Sequence, residues 1–168
     1  RLTQLINNIL DFSKIESGAK TYQFHEVDLT EVMTDTLRSL EVSLKHKGFE
    51  LTYEAPADPV PEVNIDPDAI AQAVANLVDN AVKYSNGANQ IKVRLEQGPD
   101  EMVISVQDFG IGISRDEQEK IFERFHRVST GLVHDVKGSG LGLSIVNHVA
   151  TAHGGKIRVK SEPGKGST

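Results

Sequence analysis

Asn76-Leu-Val-Asp-Asn-Ala-Val-Lys-Tyr-Ser85 decides the fold, because it carries two helical patterns at once. Ile70, Val74, Leu77 and Ala81 fall on one face, while Asn76, Asn80, Lys83 and Tyr84 follow a second stripe on another. Asp66-Pro67 opens this helix, with proline at the first helical position, and Asn86-Gly87 closes it. Two glycine-bearing segments follow at a distance, Asp108-Phe-Gly-Ile-Gly112 and Gly138-Ser-Gly-Leu-Gly-Leu143.

Outward from the helix, elements of both kinds alternate. Leu2, Leu5, Ile6, Ile9, Phe12 and Ile15 form a seam on an amphipathic helix ended by Ser17-Gly18. Too short to stand alone, it packs either on its own domain or as half of a helical hairpin. Thr21 to Val27 reads as a strand, and Asp28 caps a helix carrying Leu29, Val32, Met33, Leu37, Leu40 and Leu44. A strand over Phe49 to Tyr53 and a Pro-rich loop from Pro56 to Pro61 precede the central helix. Gln90 to Leu95 and Met102 to Val106 alternate around Gly98-Pro-Asp100, as a hairpin does. Ser114-Arg-Asp-Glu117 has the form of a capping box opening a short helix through Ile121-Phe122. Residues 126–137 lack a period and read as a loop, Gly140 to His153 as a helix, and Gly155 to Ser161 as a strand. Gly166-Ser-Thr168 shows no closing element. The hairpin makes the sheet mixed, so the fold class is α/β.

With 168 residues the chain accommodates one domain with a core and a short appendage. It has no cysteine, which excludes disulfides, zinc–thiolate sites and a cysteine nucleophile. A formal charge of −6 argues against a nucleic-acid surface. No apolar run approaches the roughly 18 residues of a membrane helix. Opening in mid-pattern at Arg1-Leu2, it reads as a fragment of something larger. His148 and His153 are five apart, wrong for a zinc pair, and His25, His46, His126 and His134 lack companion ligands.

The chemistry of the three motifs converges. Asn76, Asn80 and Lys83 put two amides and an ammonium in line, as a triphosphate with its cation needs, although a solvated face has the same composition. An amide oxygen ligates Mg²⁺, and Lys neutralises a terminal phosphate. Asp108, at a strand end, can accept from an exocyclic amine such as adenine's, with glycines beside it for close backbone approach. Gly138, Gly140 and Gly142 before a helix leave N–H groups free for phosphate. They lack the Gly-Lys-Ser/Thr of a P-loop. Asp108-Phe-Gly also lacks the His-Arg-Asp loop of eukaryotic-type protein kinases.

Taken in order, these residues resemble the catalytic, ATP-binding domain of bacterial sensor histidine kinases, within the superfamily shared with gyrase-type ATPases. Asn76–Ser85 is similar to its N-box, Asp108–Gly112 and Gly138–Val146 to its glycine boxes, and Ile121-Phe-Glu-Arg-Phe125 to its F-box. The tail, His153-Gly-Gly-Lys-Ile and Glu162 to Thr168, matches too. The resemblance implies a two-layer α/β sandwich of the Bergerat type, preceded by one amphipathic helix. Residues 1–20 would end a dimerisation and phosphotransfer hairpin, and residues 21–168 would be the catalytic domain. It implies ATP and Mg²⁺ as ligands, with Asn80 on the metal and Asn76, Lys83 and Arg127 toward the phosphates. Tyr84 would lie beside the nucleotide and Asp108 on its base. Gly110, Gly112, Gly138, Gly140, Leu141, Gly142 and Leu143 would supply pocket backbone, and Phe122 and Phe125 would anchor a lid over residues 126–137. The implied partners are a phosphoacceptor helix missing here, a response-regulator receiver domain and a second subunit. The implied location is cytoplasmic, in a parent often anchored in the inner membrane. Hydrolases of the superfamily carry a Glu general base where Asn76 stands, and an amide is no base, which favours transfer to a protein over hydrolysis. A non-catalytic ATP sensor is the alternative from another class.

Overall fold

The computed structural model describes residues 2–126 and 139–168. The side chains that cap helices set its frame. Asp28 accepts the N–H of Thr30 at 2.7 Å and starts α2 (Leu29–His46); Asp66 accepts that of Ala69 at 3.0 Å and starts α3 (Pro67–Lys83). Around them lie α1 (Leu2–Glu16), β1 (His25–Val27), β2 (Glu50–Glu54), β3 (Val63–Ile65), β4 (Gln90–Gln97) and β5 (Met102–Asp108). A 3₁₀ turn at Lys120–Phe122, α4 (Gly142–Ala152), β6 (Ser161–Glu162) and β7 (Gly166–Ser167) complete the order.

Five strands form a mixed sheet in the order β2-β4-β5-β7-β6, with β2 parallel to β4 and the other pairs antiparallel. β1 and β3 make a separate antiparallel ribbon. Ile91, Val93 and Leu95 alternate onto one face of β4 and are almost wholly buried against Met33, Leu37 and Leu44 of α2 and Val74, Val78 and Ala81 of α3. This is a two-layer α/β sandwich. A second cluster joins Ala69 and Ala73 of α3 to Leu141, Ile145, Val146 and Val149 at α4, with Phe12 and Ile15 of α1 packed on it. The α1 seam is therefore divided: Phe12 and Ile15 face the domain, while Ile6, Ile9 and Leu10 are about half exposed.

Four sequence expectations are corrected. Ser114–Glu117 does not open an α-helix. The Glu117 carboxylate takes His126 Nε2 at 2.6 Å, and the Gln118 amide donates to the carbonyls of Ile113 and Ser161, so the segment stays in turns ending in the 3₁₀ turn. Gly155–Ser161 is a strand only from Ser161. Ile157 and Val159 alternate as expected, but the paired backbone begins at Lys160, which exchanges two hydrogen bonds with Thr168 at 2.8 and 2.9 Å. That partner is the tail, which does close the sheet as β7. The strand read from Thr21 is formed only over β1, and its partner β3, just three residues long, shows no readable alternation.

Candidate functional site

A cavity of about 340 Å³ lies between α3, the end of β5 and the start of α4. Its α3 wall presents Asn76, Asp79, Asn80, Lys83 and Tyr84, one turn after another along the helix. Asn76 is buried, and its Nδ2 has no hydrogen-bond partner among the described residues. Lys83 Nζ pairs with the Asp79 carboxylate at 2.5 Å. Asp79 thus serves as a charge partner that holds the ammonium along the wall.

The opposite wall is built from distant segments. Asp108, last residue of β5, pairs in register with Ser167 of β7 and accepts the N–H of Gly110 on Oδ1 at 2.8 Å. Burial raises its carboxyl above the ordinary value, and the N–H groups of Gly110 and Ser167 offset this only in part. Ser161 ties the wall together: its Oγ accepts the N–H of Ile113 at 2.7 Å and donates to the carbonyl of Gly166 at 2.8 Å. Gly110 is required because a Cβ there would enter the Tyr84 carbonyl, which accepts the Ile111 N–H at 3.0 Å. Gly140 takes φ +71°, and its missing Cβ leaves room for the backbone of Phe125. Both glycines thus answer close approaches within the protein as well as any ligand.

Of the residues singled out from sequence, Asn76, Asn80, Lys83, Tyr84, Asp108, Gly112, Phe122, Gly140, Gly142 and Leu143 all line this cavity. Three do not. Gly110 lies behind the wall, Leu141 is a core side chain 1% exposed, and Phe125 turns outward, 62% exposed, its ring edge-on to Phe12 at 5.2 Å. Arg127, Gly138 and residues 127–137 of the expected lid lie outside the described residues. Sequence reading missed Asp79, although its i,i+4 spacing to Lys83 was legible. It also missed Asn8, Ile157, Val159 and the tail residues Ser167 and Thr168, which carry no local signal. His153 is a satisfied, half-buried histidine: Nδ1 donates to the Val149 carbonyl and Nε2 accepts the Asp66 N–H at 3.0 Å. No cluster of three or more metal-ligating His, Cys, Asp or Glu is present among the described residues.

Residues 65–168 match the family model described as "Histidine kinase-, DNA gyrase B-, and HSP90-like ATPase". The chain belongs to this family. Within it, the relatives place the domain on the histidine-kinase side, as a catalytic ATP-binding domain. The sensor-like histidine kinase SenX3 of Mycolicibacterium smegmatis is 34% identical over all of this chain and 43% of its own length. The circadian input-output histidine kinase CikA of Synechococcus elongatus is 33% identical over 99% of this chain and 22% of its own. Among solved structures, full-length ShkA in complex with AMPPNP superposes with a TM-score of 0.81 at 27% identity, covering 99% of this chain and 34% of that one. The mycobacterial sensor histidine kinase MprB gives 0.68 at 33% identity, over 86% and 93%. The chain spans less than half the length of either curated relative. Among the described residues no helix of this ATPase-family domain is long and apolar enough to cross a membrane.

Proposed function

We propose that the cavity holds ATP with Mg²⁺ and that the domain donates the γ-phosphate to a histidine on a helix outside this chain. The observation that carries the reading is the polarity of the two walls: amides and an ammonium on α3, a half-buried carboxylate on the sheet. A triphosphate needs the first, and the amino group of adenine needs the second. The donor set fits the ligands. Asn80 offers a hard amide oxygen suited to Mg²⁺, and the unpartnered Nδ2 of buried Asn76 awaits an acceptor such as a phosphate oxygen. When bound, the cation neutralises charge on the phosphate oxygens.

In the transfer, the bond between the β,γ-bridging oxygen and the γ-phosphorus breaks, a nitrogen–phosphorus bond forms, and ADP leaves. Lys83 offsets the charge gathering on the departing phosphate, Tyr84 packs beside the nucleotide, and Asp108 fixes its base. No side chain on α3 is placed to abstract a proton from water, since position 76 is an amide and Asp79 is committed to Lys83. Transfer by positioning and charge neutralisation is therefore favoured over hydrolysis. Arg127 joins the phosphate side on the strength of the resemblance alone. In the same reading residues 1–20 end a dimerisation hairpin, residues 21–168 form the donor domain, the parent is a homodimer, and a receiver domain takes the phosphate onward. The half-exposed Ile6, Ile9 and Leu10 support a second helix beside α1.

The test uses the chain extended upstream through the phosphoacceptor helix, with Mg²⁺ and γ-labelled ATP. Acid-labile, base-stable label on protein is expected. Free phosphate as the main product would favour a hydrolase, and ATP binding without turnover a nucleotide sensor.

A further inference from the structure

Asn76 is 4% exposed, its Nδ2 meets no partner among the described residues, and a buried amide N–H is costly unless something receives it. Its other end is engaged. Oδ1 of Asn76 accepts from Nδ2 of Asn8 at 3.4 Å, across 68 residues of sequence. Asn8 belongs to α1 and itself lines the cavity. A primary amide whose oxygen is held presents its nitrogen elsewhere, so Asn8 selects which end of Asn76 meets the ligand. The helix is seated firmly enough to do so. Asp11 receives Lys20 Nζ at 2.7 Å and Gln72 Nε2 at 2.5 Å, and Glu16 pairs with Arg124 at 2.6 Å. Phe12 meets Phe125 edge-on between these two anchors.

We propose that Asn8 is a positioning residue of the nucleotide site: docked α1 orients the Asn76 amide so that its N–H, not its oxygen, faces the phosphates. The opposite orientation would turn a carbonyl dipole's negative end toward an anion. The site is thus complete only while α1 rests on the domain, and movement of that helix changes a phosphate donor without altering α3. This deepens the assignment of the cavity to ATP and rests on it.

The test is a double-mutant cycle read as affinity for ATP with Mg²⁺, by calorimetry on this chain: wild type, Asn8→Ala, Asn76→Ala and the pair. Asn8→Ala alone is expected to weaken binding about fivefold, the scale of one hydrogen bond, and by less than about twofold once Asn76 is Ala. Asn8→Asp has only acceptors to offer, so it should capture Asn76 Nδ2, turn Oδ1 into the cavity and weaken binding more than Ala does. Equal losses from Asn8→Ala in both backgrounds, or an Asp variant that binds as well as wild type, would overturn the proposal. Absence of ATP binding by the wild-type chain would instead remove the nucleotide assignment, and this proposal with it.

Discussion

The two walls of the cavity are made in opposite ways. The α3 wall is one helix: a cap at Asp66, a 3.6-residue period, and every polar group placed by its position in the turn. The sheet wall is assembled from segments far apart, with Asp108 fixed by Ser167 and Ile113 fixed by Ser161, 48 residues on. The first wall depends on local geometry and tolerates loss of a single contact. The second rests on the β4–β5 hairpin, where Asp108 pairs with Ile91, and beyond it on the clasp of residues 161–168. In the proposed reading, chemistry that must be in register along a phosphate chain sits on the helix, and base recognition sits where the chain closes.

The largest effect should come from the helical wall. Asn80→Ala removes the proposed cation ligand without disturbing the core, so phosphotransfer should fall by more than the roughly 10–100-fold typical of losing an outer partner of a metal. The unfolding midpoint should stay within a few degrees of wild type. Label transfer assays and thermal melts check the two together, and normal transfer would break the assignment.

Asp108→Asn should separate function from stability on the other wall. The amide oxygen can keep the Gly110 N–H, but its NH₂ now faces the adenine amine. Preference for ATP over GTP should drop by about tenfold or more, the scale of a hydrogen bond to a charged group. Because burial raises the folded pKa, Asp108 stabilises the fold only in acid and costs stability as pH rises through that raised value. The Asn variant should therefore melt no lower than wild type at neutral pH, and a clear drop in midpoint would show that the carboxylate is needed structurally.

The contrast also explains what was legible. Asp66-Pro67, the apolar face and the Asn76–Asn80–Lys83–Tyr84 stripe all lie within one helix, where spacing in sequence is spacing in space. Gln90–Gln97 and Met102–Asp108 were legible because a hairpin is also local. β6 and β7 were not: their pairing turns on Pro163 and on Gly164 at φ +79°, and two-residue strands carry no alternation. Asn8 lies 68 residues from its partner, and nothing in its own helix marks it as a pocket residue. Phe125 is a related case. It falls in a pocket motif, yet at φ +58° its ring meets Phe12 of α1, a contact that its neighbours in sequence do not announce.

Ser161→Ala should have an effect of intermediate size. It removes the group that joins Ile113 to the tail, leaving the Ile113 N–H without that acceptor. A loss of about 1–3 kcal/mol in denaturant stability is expected, as for a part-buried donor left unpaired. Base discrimination should weaken with it while Mg²⁺ dependence holds, because the clasp supports only the sheet wall. Equal losses in both would mean that the walls are not independent.

The smallest effect belongs to the start of α3. Burial alone would push the Asp66 carboxyl up, but the N–H groups of Ala69 and Gln23, with His153 nearby, more than offset it and hold it below its ordinary value. A depressed folded pKa gives stability that is present above the unfolded value and lost as pH falls through the folded one. Asp66→Asn preserves an acceptor for Ala69, gives up the one for Gln23, whose exposed N–H can turn to water, and cannot titrate. It should cost under about 1 kcal/mol at neutral pH, in line with Asn and Asp being near-equal caps. Its stability should also fall less steeply than wild type on acidification. Denaturant melts across that acidic range decide the point: parallel curves for the two proteins would mean the cap carries no titrating share of the stability of the α3 wall.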